Sequence, residues 1–289
     1  MDETIKEYLT QVESSFGNEM YYKDIKLRHS TWIKNVTLKN DRDILNKLFY
    51  NLRFFSKIEI KNILHTEIKK LKSLHNNLEQ AAILPLSPVD GRYSGSNELI
   101  SLIKEIDVEE QFNGGRLLPF RDSILNDPKY TEDIETLIFV DDIGGTGGTL
   151  EKFVKYHSKS LEGKKAIFIF LTVTRAALDK FATIQEKYKE IDFEFIHYHE
   201  LKKVSSINIL SDDEYKRLID IEEDLWGKGN NNILGFRQSE LLVLFSHNIP
   251  NNTVSNLWHP SEEKWKRLFT RITAPNRKMQ NYSNARKGR

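Results

Sequence analysis

Residues 136–150 read TLIFVDDIGGTGGTL, and this stretch decides the fold. An apolar run over 136–140 is followed by two adjacent carboxylates, Asp141 and Asp142, and then by four glycines within 144–148. The apolar run predicts a buried strand, and the segment after the glycines, 149–160, has helical character. The stretch therefore predicts a strand, a glycine-rich turn and a helix in direct succession.

The sequence around this stretch continues the alternation of strand and helix. Three more apolar runs predict buried strands, and they span 81–86, 165–173 and 192–197. A helical pattern lies at 175–190, and a further strand is predicted over 241–246. Continuous apolar strands that alternate with helices are typical of a parallel sheet covered on both faces. We therefore predict a doubly wound, mainly parallel α/β domain over 81–275.

The residues before this domain follow a different pattern. Residues 1–80 contain no proline and lack the alternation of half-buried strands. Apolar residues recur there at helical spacing, as at Ile60, Ile63 and Leu64. We therefore predict an α-helical N-terminal section over 1–80, packed on the domain that follows.

The overall charge conceals an uneven distribution. The chain has 43 Lys and Arg against 42 Asp and Glu, a net charge of +1. No acidic residue follows Glu263, whereas nine basic residues do, namely Lys264, Lys266, Arg267, Arg271, Arg277, Lys278, Arg286, Lys287 and Arg289. We predict a basic, flexible tail over 276–289. Such a tail either binds the phosphates of a nucleic acid or is merely solvated.

Composition excludes several classes of site. The chain has no cysteine, which rules out disulfides, thiolate zinc sites and a cysteine nucleophile. The longest strongly apolar stretch, 166–173, is far too short to span a membrane. The N-terminal residues MDETIKEYLT lack the pattern of a signal peptide, and 29% of all residues are charged. These features predict a cytoplasmic protein with no membrane partner.

The glycine-rich turn has the chemistry of a sugar-phosphate site. Ligands of open parallel sheets bind at the carboxyl ends of strands, and amides at a helix start attract anions. The residues of this predicted phosphate cradle are Gly144, Gly145, Thr146, Gly147, Gly148 and Thr149. Asp141 and Asp142 would accept hydrogen bonds from ribose hydroxyls. The turn lacks the lysine of a Walker loop and the spacing of a dinucleotide fingerprint. A glycine-rich turn without a ligand is the alternative.

Residues 140–149 resemble the phosphoribosyl-pyrophosphate loop of type I phosphoribosyltransferases. In that family an acidic pair binds the ribose hydroxyls, and the following Thr/Gly run binds the 5′-phosphate. The resemblance implies a type I phosphoribosyltransferase fold and a substrate such as phosphoribosyl pyrophosphate or a nucleotide. It implies reaction at C1′, with Mg²⁺ bound through the substrate rather than by direct protein ligands. Asp141, Asp142 and Arg92 are the catalytic candidates under this interpretation.

A second resemblance covers more of the chain. A Ser-Gly element, the glycine loop and a C-terminal segment containing GFRQS (235–239) and HNIPNNT (247–253) follow one another in this order. This order resembles the phosphoribosyltransferase-like effector family of bacterial anti-phage and conflict systems, including some retrons. It implies an effector in antiviral defence, with a reverse transcriptase or a nucleic acid as a possible partner. The alternative is a catalytically inactive nucleotide-sensing or scaffold subunit of a defence complex.

The remaining site candidates lie outside the glycine loop. Ser94, Gly95 and Ser96 follow the first strand, where the family's pyrophosphate loop lies, and Arg92 would meet a diphosphate there. An ordinary loop with Ser94 or Ser96 as a helix N-cap is the alternative.

The sequence shows no clear catalytic hood loop. Arg116 and Arg121, within GGRLLPFR (114–121), are the only candidates for its basic residues. His247, Asn251 and Asn252 follow the late strand and are candidates for contacts to the base or the ribose. Alternatively, these residues form a turn around Pro250 that is stabilised by side-chain hydrogen bonds.

Overall fold

The computed structural model describes residues 3–74, 81–89, 94–110, 125 and 132–272. The helices of this part are α1 (Glu3–Phe16), α2 (Ile25–Trp32), α3 (Lys39–Tyr50), α4 (Lys57–Leu74), α5 (Gly95–Glu110), α6 (Gly148–Leu161), α7 (Arg175–Lys187) and α8 (Asp212–Trp226). The strands are β1 (Arg53–Phe55), β2 (Ala81–Pro85), β3 (Thr136–Gly144), β4 (Lys165–Thr174), β5 (Asp192–Leu201) and β6 (Val243–Phe245).

The central sheet is parallel and has the order β2-β3-β4-β5. Successive side chains of its strands point to opposite faces. On one face Ile138 and Ile167 pack in a core with residues of α4 and α5. On the other face Phe139 and Phe168 pack in a second core with residues of α6 and α7. Helices therefore cover both faces, and the predicted doubly wound α/β fold with a parallel sheet is confirmed.

Strands β3 and β5 extend further than the apolar runs that predicted them. β3 continues through the two carboxylates to Gly144, because Asp141 and Gly144 pair with Phe170 and Val173 of β4. β5 likewise reaches Leu201 through a stretch with exposed side chains. Cross-strand hydrogen bonds, which hydropathy does not report, set these ends.

The strand predicted at 241–246 is the short β6, and it pairs outside the central sheet. Its partner is β1, in a parallel two-stranded sheet with Phe54 opposite Leu244. β1 was not predicted, because a three-residue strand is too short to show a period. The side chains of Phe55 and Phe245 stack with their ring centroids 5.3 Å apart and belong to the core on the α4–α5 face.

The N-terminal helices share a separate core with the C-terminal half. Side chains of α1, α2 and α3 pack with α8 and with residues up to Phe269. Arg217 of α8 donates two hydrogen bonds of 2.8 Å to the Asp41 carboxylate of α3. The Trp32 indole donates to the carbonyl of Asn256 over 3.0 Å. The helical character of the N-terminal section is confirmed, whereas the domain limits at 80 and 275 remain predictions.

Among the described residues, none of the helices combines the length and the apolar character that a membrane crossing requires.

Candidate functional site

A cavity of about 520 Å³ lies at the carboxyl end of β3. It brings together predicted residues from three separate parts of the sequence. These are Ser94, Gly95, Asp141, Asp142, Gly144, Gly145, Thr146, Gly147, Gly148, Thr149, Asn251 and Asn252. The cavity is therefore at the edge of the sheet where ligands of parallel α/β folds bind.

The start of α6 forms one wall of this cavity. Gly147 has φ of +69°, a left-handed conformation that favours glycine, and α6 begins at the next residue. Gly148, Thr149 and Leu150 of the first turn line the cavity, and the first intrahelical bond comes from the amide of Glu151. The first amides of a helix have no carbonyl partner within it, and the helix dipole is positive there. This wall can bind an anion such as a phosphate.

Two threonines of β4 fix the backbone of the loop from behind. The Thr174 hydroxyl donates to the carbonyl of Gly145 and accepts from the amide of Ala177, which caps α7. The Thr172 hydroxyl is fully buried and donates to the carbonyl of Asp142 over 3.1 Å. Neither threonine was predicted as a site residue, although both are visible in the sequence as polar residues at the end of an apolar strand.

The two adjacent carboxylates have different neighbours. Asp142 Oδ2 lies 2.8 Å from His247 Nε2, which donates to it, and both side chains are nearly buried. Asp141 Oδ1 accepts from the amide of Asp142 over 3.0 Å. Burial, followed by the negative charge of Asp142, raises the pKa of Asp141 well above its ordinary value. The alternation along β3 thus gives each carboxylate its own surroundings.

Gly95, the first residue of α5, lies directly against Asp142. A Cβ at this position would be 1.9 Å from Asp142 Oδ2 and 3.0 Å from His247 Nε2. The Ser-Gly-Ser element therefore touches the acidic pair. Ser94 lines the cavity, whereas Ser96 is fully buried and its hydroxyl donates to the carbonyl of Leu86.

The C-terminal segment closes the cavity from the opposite side. The imidazole of His247 stacks on the Phe245 ring at 5.5 Å between centroids and holds Asp142 from behind. Arg271 also lines the cavity. In the sequence Arg271 is visible as a basic residue of the C-terminal segment, but its place in the cavity is a long-range feature with no local signal.

The sequence matches the PRTase-CE family model over residues 29–271. The chain belongs to the PRTase-CE family. This membership confirms the phosphoribosyltransferase-like resemblance, and the matched range includes both the glycine loop and the C-terminal wall of the cavity.

Comparisons with individual proteins add little to the PRTase-CE membership. A search of curated proteins finds no match. Among solved structures, the chain is similar to the Helicobacter pylori xanthine-guanine-hypoxanthine phosphoribosyltransferase. The two are 15% identical over 50% of this chain and 84% of that chain, with a TM-score of 0.28.

Some candidates for this PRTase-CE site lie outside the described residues. These are Arg92, Arg116 and Arg121, together with the basic tail at 276–289. Over the ranges that the structure describes, no group of three or more His, Asp and Glu side chains is arranged to hold a metal ion.

Proposed function

We propose that this PRTase-CE protein binds a ribose-5-phosphate-containing substrate, either phosphoribosyl pyrophosphate or a nucleotide, and acts at C1′ of the ribose. One observation carries the proposal. The carboxylates of Asp141 and Asp142 and the amino-terminal end of α6 line the same cavity of about 520 Å³. Hydrogen-bond acceptors for ribose hydroxyls thus lie next to donors for a phosphate, as a ribose 5-phosphate requires.

Each wall of the cavity has a separate task in this proposal. The amides at 147–149 bind the 5′-phosphate, and the Thr146 hydroxyl adds a donor. Asp141 and Asp142 accept from the ribose hydroxyls, and His247 holds the Asp142 carboxylate in one orientation. The bond from C1′ to the departing group breaks and its electron pair leaves with that group, while an acceptor nucleophile, either water or a second substrate, supplies the electron pair of the new bond to C1′. Catalysis is then mainly placement and stabilisation of charge.

The donor set fits a magnesium ion that is carried by the substrate. Mg²⁺ is commonly bound by one or two carboxylates, waters and substrate phosphates. The cavity offers the oxygens of one aspartate pair, and the substrate would add its phosphate oxygens. When bound, the ion would neutralise charge on a departing diphosphate.

The biological setting that we propose is bacterial anti-phage defence, as an effector that consumes its substrate. The order of the Ser-Gly element, the glycine loop and the C-terminal segment supports this setting, because this order resembles the effector family of anti-phage and conflict systems. A reverse transcriptase or a nucleic acid is the proposed partner, and the basic tail at 276–289 is the proposed contact.

The test is an assay of the purified protein with phosphoribosyl pyrophosphate or nucleotides and Mg²⁺, following release of the departing group. The variant Asp141→Asn/Asp142→Asn is expected to lose all activity. The matched control is Asp212→Asn/Asp213→Asn, which changes another adjacent aspartate pair, exposed in the first turn of α8. Undiminished turnover in the Asp141/Asp142 variant would contradict the proposal.

Calorimetry on the same samples separates the enzyme from the alternative, a nucleotide-sensing or scaffold subunit. Binding without turnover would support the sensor, and turnover would reject it. Metabolite profiling of cells that express the protein or the Asp141/Asp142 variant then identifies the molecule consumed.

A further inference from the structure

Among the described residues, Arg271 contributes the cationic side chain of the cavity. Of the described residues that line the cavity, Arg271 alone has a cationic side chain, whereas Asp141 and Asp142 are acidic. Phosphoribosyl pyrophosphate, with a 5′-phosphate and a diphosphate at C1′, carries several negative charges into a site with two carboxylates. The amino-terminal end of α6 offsets only part of this charge, because it is equivalent to about half an elementary charge.

Hydrogen bonds on both sides of Arg271 hold its backbone in place. The Tyr21 hydroxyl donates to the carbonyl of Thr270 over 2.9 Å. On the other side, the Asn248 side chain bonds Ile272 twice: it accepts from the Ile272 amide over 2.9 Å and donates to the Ile272 carbonyl over 3.0 Å. Arg271 is therefore fixed between an N-terminal helical region and the turn that follows β6.

The side chain of Arg271 is also oriented by the protein. Its Cζ lies 5.4 Å from the ring centroid of Trp258, and the Trp258 indole is itself held by a 2.7 Å bond to the carbonyl of Thr253. The Nε of Arg271 is buried and has no hydrogen-bond partner among the described residues. Buried polar groups in native proteins are normally paired, so this donor is open to a partner beyond the described residues; the Nε atoms of Arg28 and Arg267 are unpaired in the same way, but neither residue lines the cavity.

The charge of Arg271 is preserved despite its partial burial. Burial lowers the pKa of Arg271, and the nearby Tyr21 and Asp142 raise it. An arginine starts from so high a pKa that it stays protonated in proteins. Arg271 and Asp142 line the same cavity.

We infer that Arg271 binds the second anionic group of the substrate, the diphosphate attached to C1′, while the start of α6 binds the 5′-phosphate. The inference rests on the proposed function. The planar guanidinium can donate two parallel hydrogen bonds to phosphate oxygens, which an ammonium group cannot match in geometry. A cation from the C-terminal segment then supplies the charge at the site of the departing group.

The inference is tested by calorimetric titration with three probes in the presence of Mg²⁺: inorganic diphosphate, ribose 5-phosphate and phosphoribosyl pyrophosphate. Arg271→Gln is expected to weaken the binding of both diphosphate-containing probes by about tenfold to a hundredfold. Binding of ribose 5-phosphate should change by less than about threefold, which is less than one charged hydrogen bond contributes. Arg271→Lys keeps the charge but loses the planar guanidinium. Its affinity for the diphosphate-containing probes should lie between those of the wild type and Arg271→Gln.

Lys266→Gln is the matched control, because Lys266 is an exposed cation on the same segment and lies outside the cavity lining. It should leave all three affinities unchanged. Thermal unfolding of each variant reports whether the fold is intact.

Each result has a defined meaning. Equal weakening of all three probes by Arg271→Gln, or no weakening of the diphosphate probes, overturns the inference, as does a wild-type protein that binds neither diphosphate probe. A wild-type protein that binds diphosphate through Arg271 but does not bind ribose 5-phosphate overturns the proposed function and leaves only the diphosphate-binding role of Arg271.

Discussion

Gly95 leaves no room for a methyl group, and this gives a direct test of how the acidic pair is held. In Gly95→Ala, the new Cβ would lie 1.9 Å from Asp142 Oδ2 and 2.7 Å from Asp142 Cγ. Non-bonded heavy atoms stay roughly 3 Å or more apart, so the Asp142 carboxylate must move by about 1 Å. Such a movement also breaks its 2.8 Å hydrogen bond with His247.

The magnitude of the effect follows from these distances. Forcing an extra methyl group into a packed site destabilises a protein by about 1–3 kcal/mol. A misplacement of about 1 Å in a catalytic group lowers the rate by up to about a hundredfold. We therefore expect Gly95→Ala to lower the free energy of unfolding by about 1–3 kcal/mol and to weaken the proposed activity strongly.

A double-mutant cycle shows whether the clash with Asp142 is the cause. Asp142→Ala removes the two atoms that would lie closest to the new methyl group and leaves His247 Nε2, at 3.0 Å, as the remaining close neighbour. In that background Gly95→Ala should lower the free energy of unfolding by less than about 1 kcal/mol, because the His247 side chain no longer bonds Asp142 and can shift. Urea unfolding of the four proteins measures the cycle. Ser101→Ala, on an exposed position of the same helix, is the control.

An equal loss of free energy of unfolding on Gly95→Ala in the wild-type protein and in Asp142→Ala would refute this reasoning. The cost would then come from the backbone of α5 rather than from Asp142. A Gly95→Ala protein with unchanged stability and activity would refute it as well.

Two further predictions concern β4 and the acidic pair. Thr174→Val removes the cap of α7 and the hydrogen bond to the Gly145 carbonyl, so it should lower the free energy of unfolding by about 1–2 kcal/mol. Denaturation in urea measures this effect, and an unchanged midpoint would contradict it. Asp141 has a raised pKa in the folded state, so the folded protein binds its proton more tightly than the unfolded chain and loses stability as the pH rises from about 4. Asp141→Asn should therefore have a higher free energy of unfolding than the wild type at pH 7, and the difference should shrink towards pH 4. If the free energies of unfolding of the two proteins change in parallel with pH, this prediction is wrong.

The sequence predicted the parts of the fold that depend on local pattern. Continuous apolar runs predicted the four strands of the central sheet, because a strand buried on both faces has no polar alternation. The run of glycines after Asp142 predicted the turn into α6, because a left-handed residue is needed at Gly147.

The parts that the sequence did not predict depend on contacts between distant residues. The pairing of β1 with β6 joins two three-residue strands that show no period. The hydrogen bond from His247 to Asp142 spans 105 positions. Arg271 was visible as a charge, but its place in the cavity depends on Tyr21 and Asn248, which fix its neighbours. Chemical type can be read from a sequence, whereas such spatial neighbours cannot.

A crystal structure of the protein with ribose 5-phosphate tests the proposed site most directly. We predict that the 5′-phosphate lies within hydrogen-bond distance of the amides at 147–149, and that the ribose hydroxyls donate to Asp141 and Asp142. A sugar phosphate bound elsewhere on the protein, or a cavity that stays empty at saturating ligand, would contradict the proposed function.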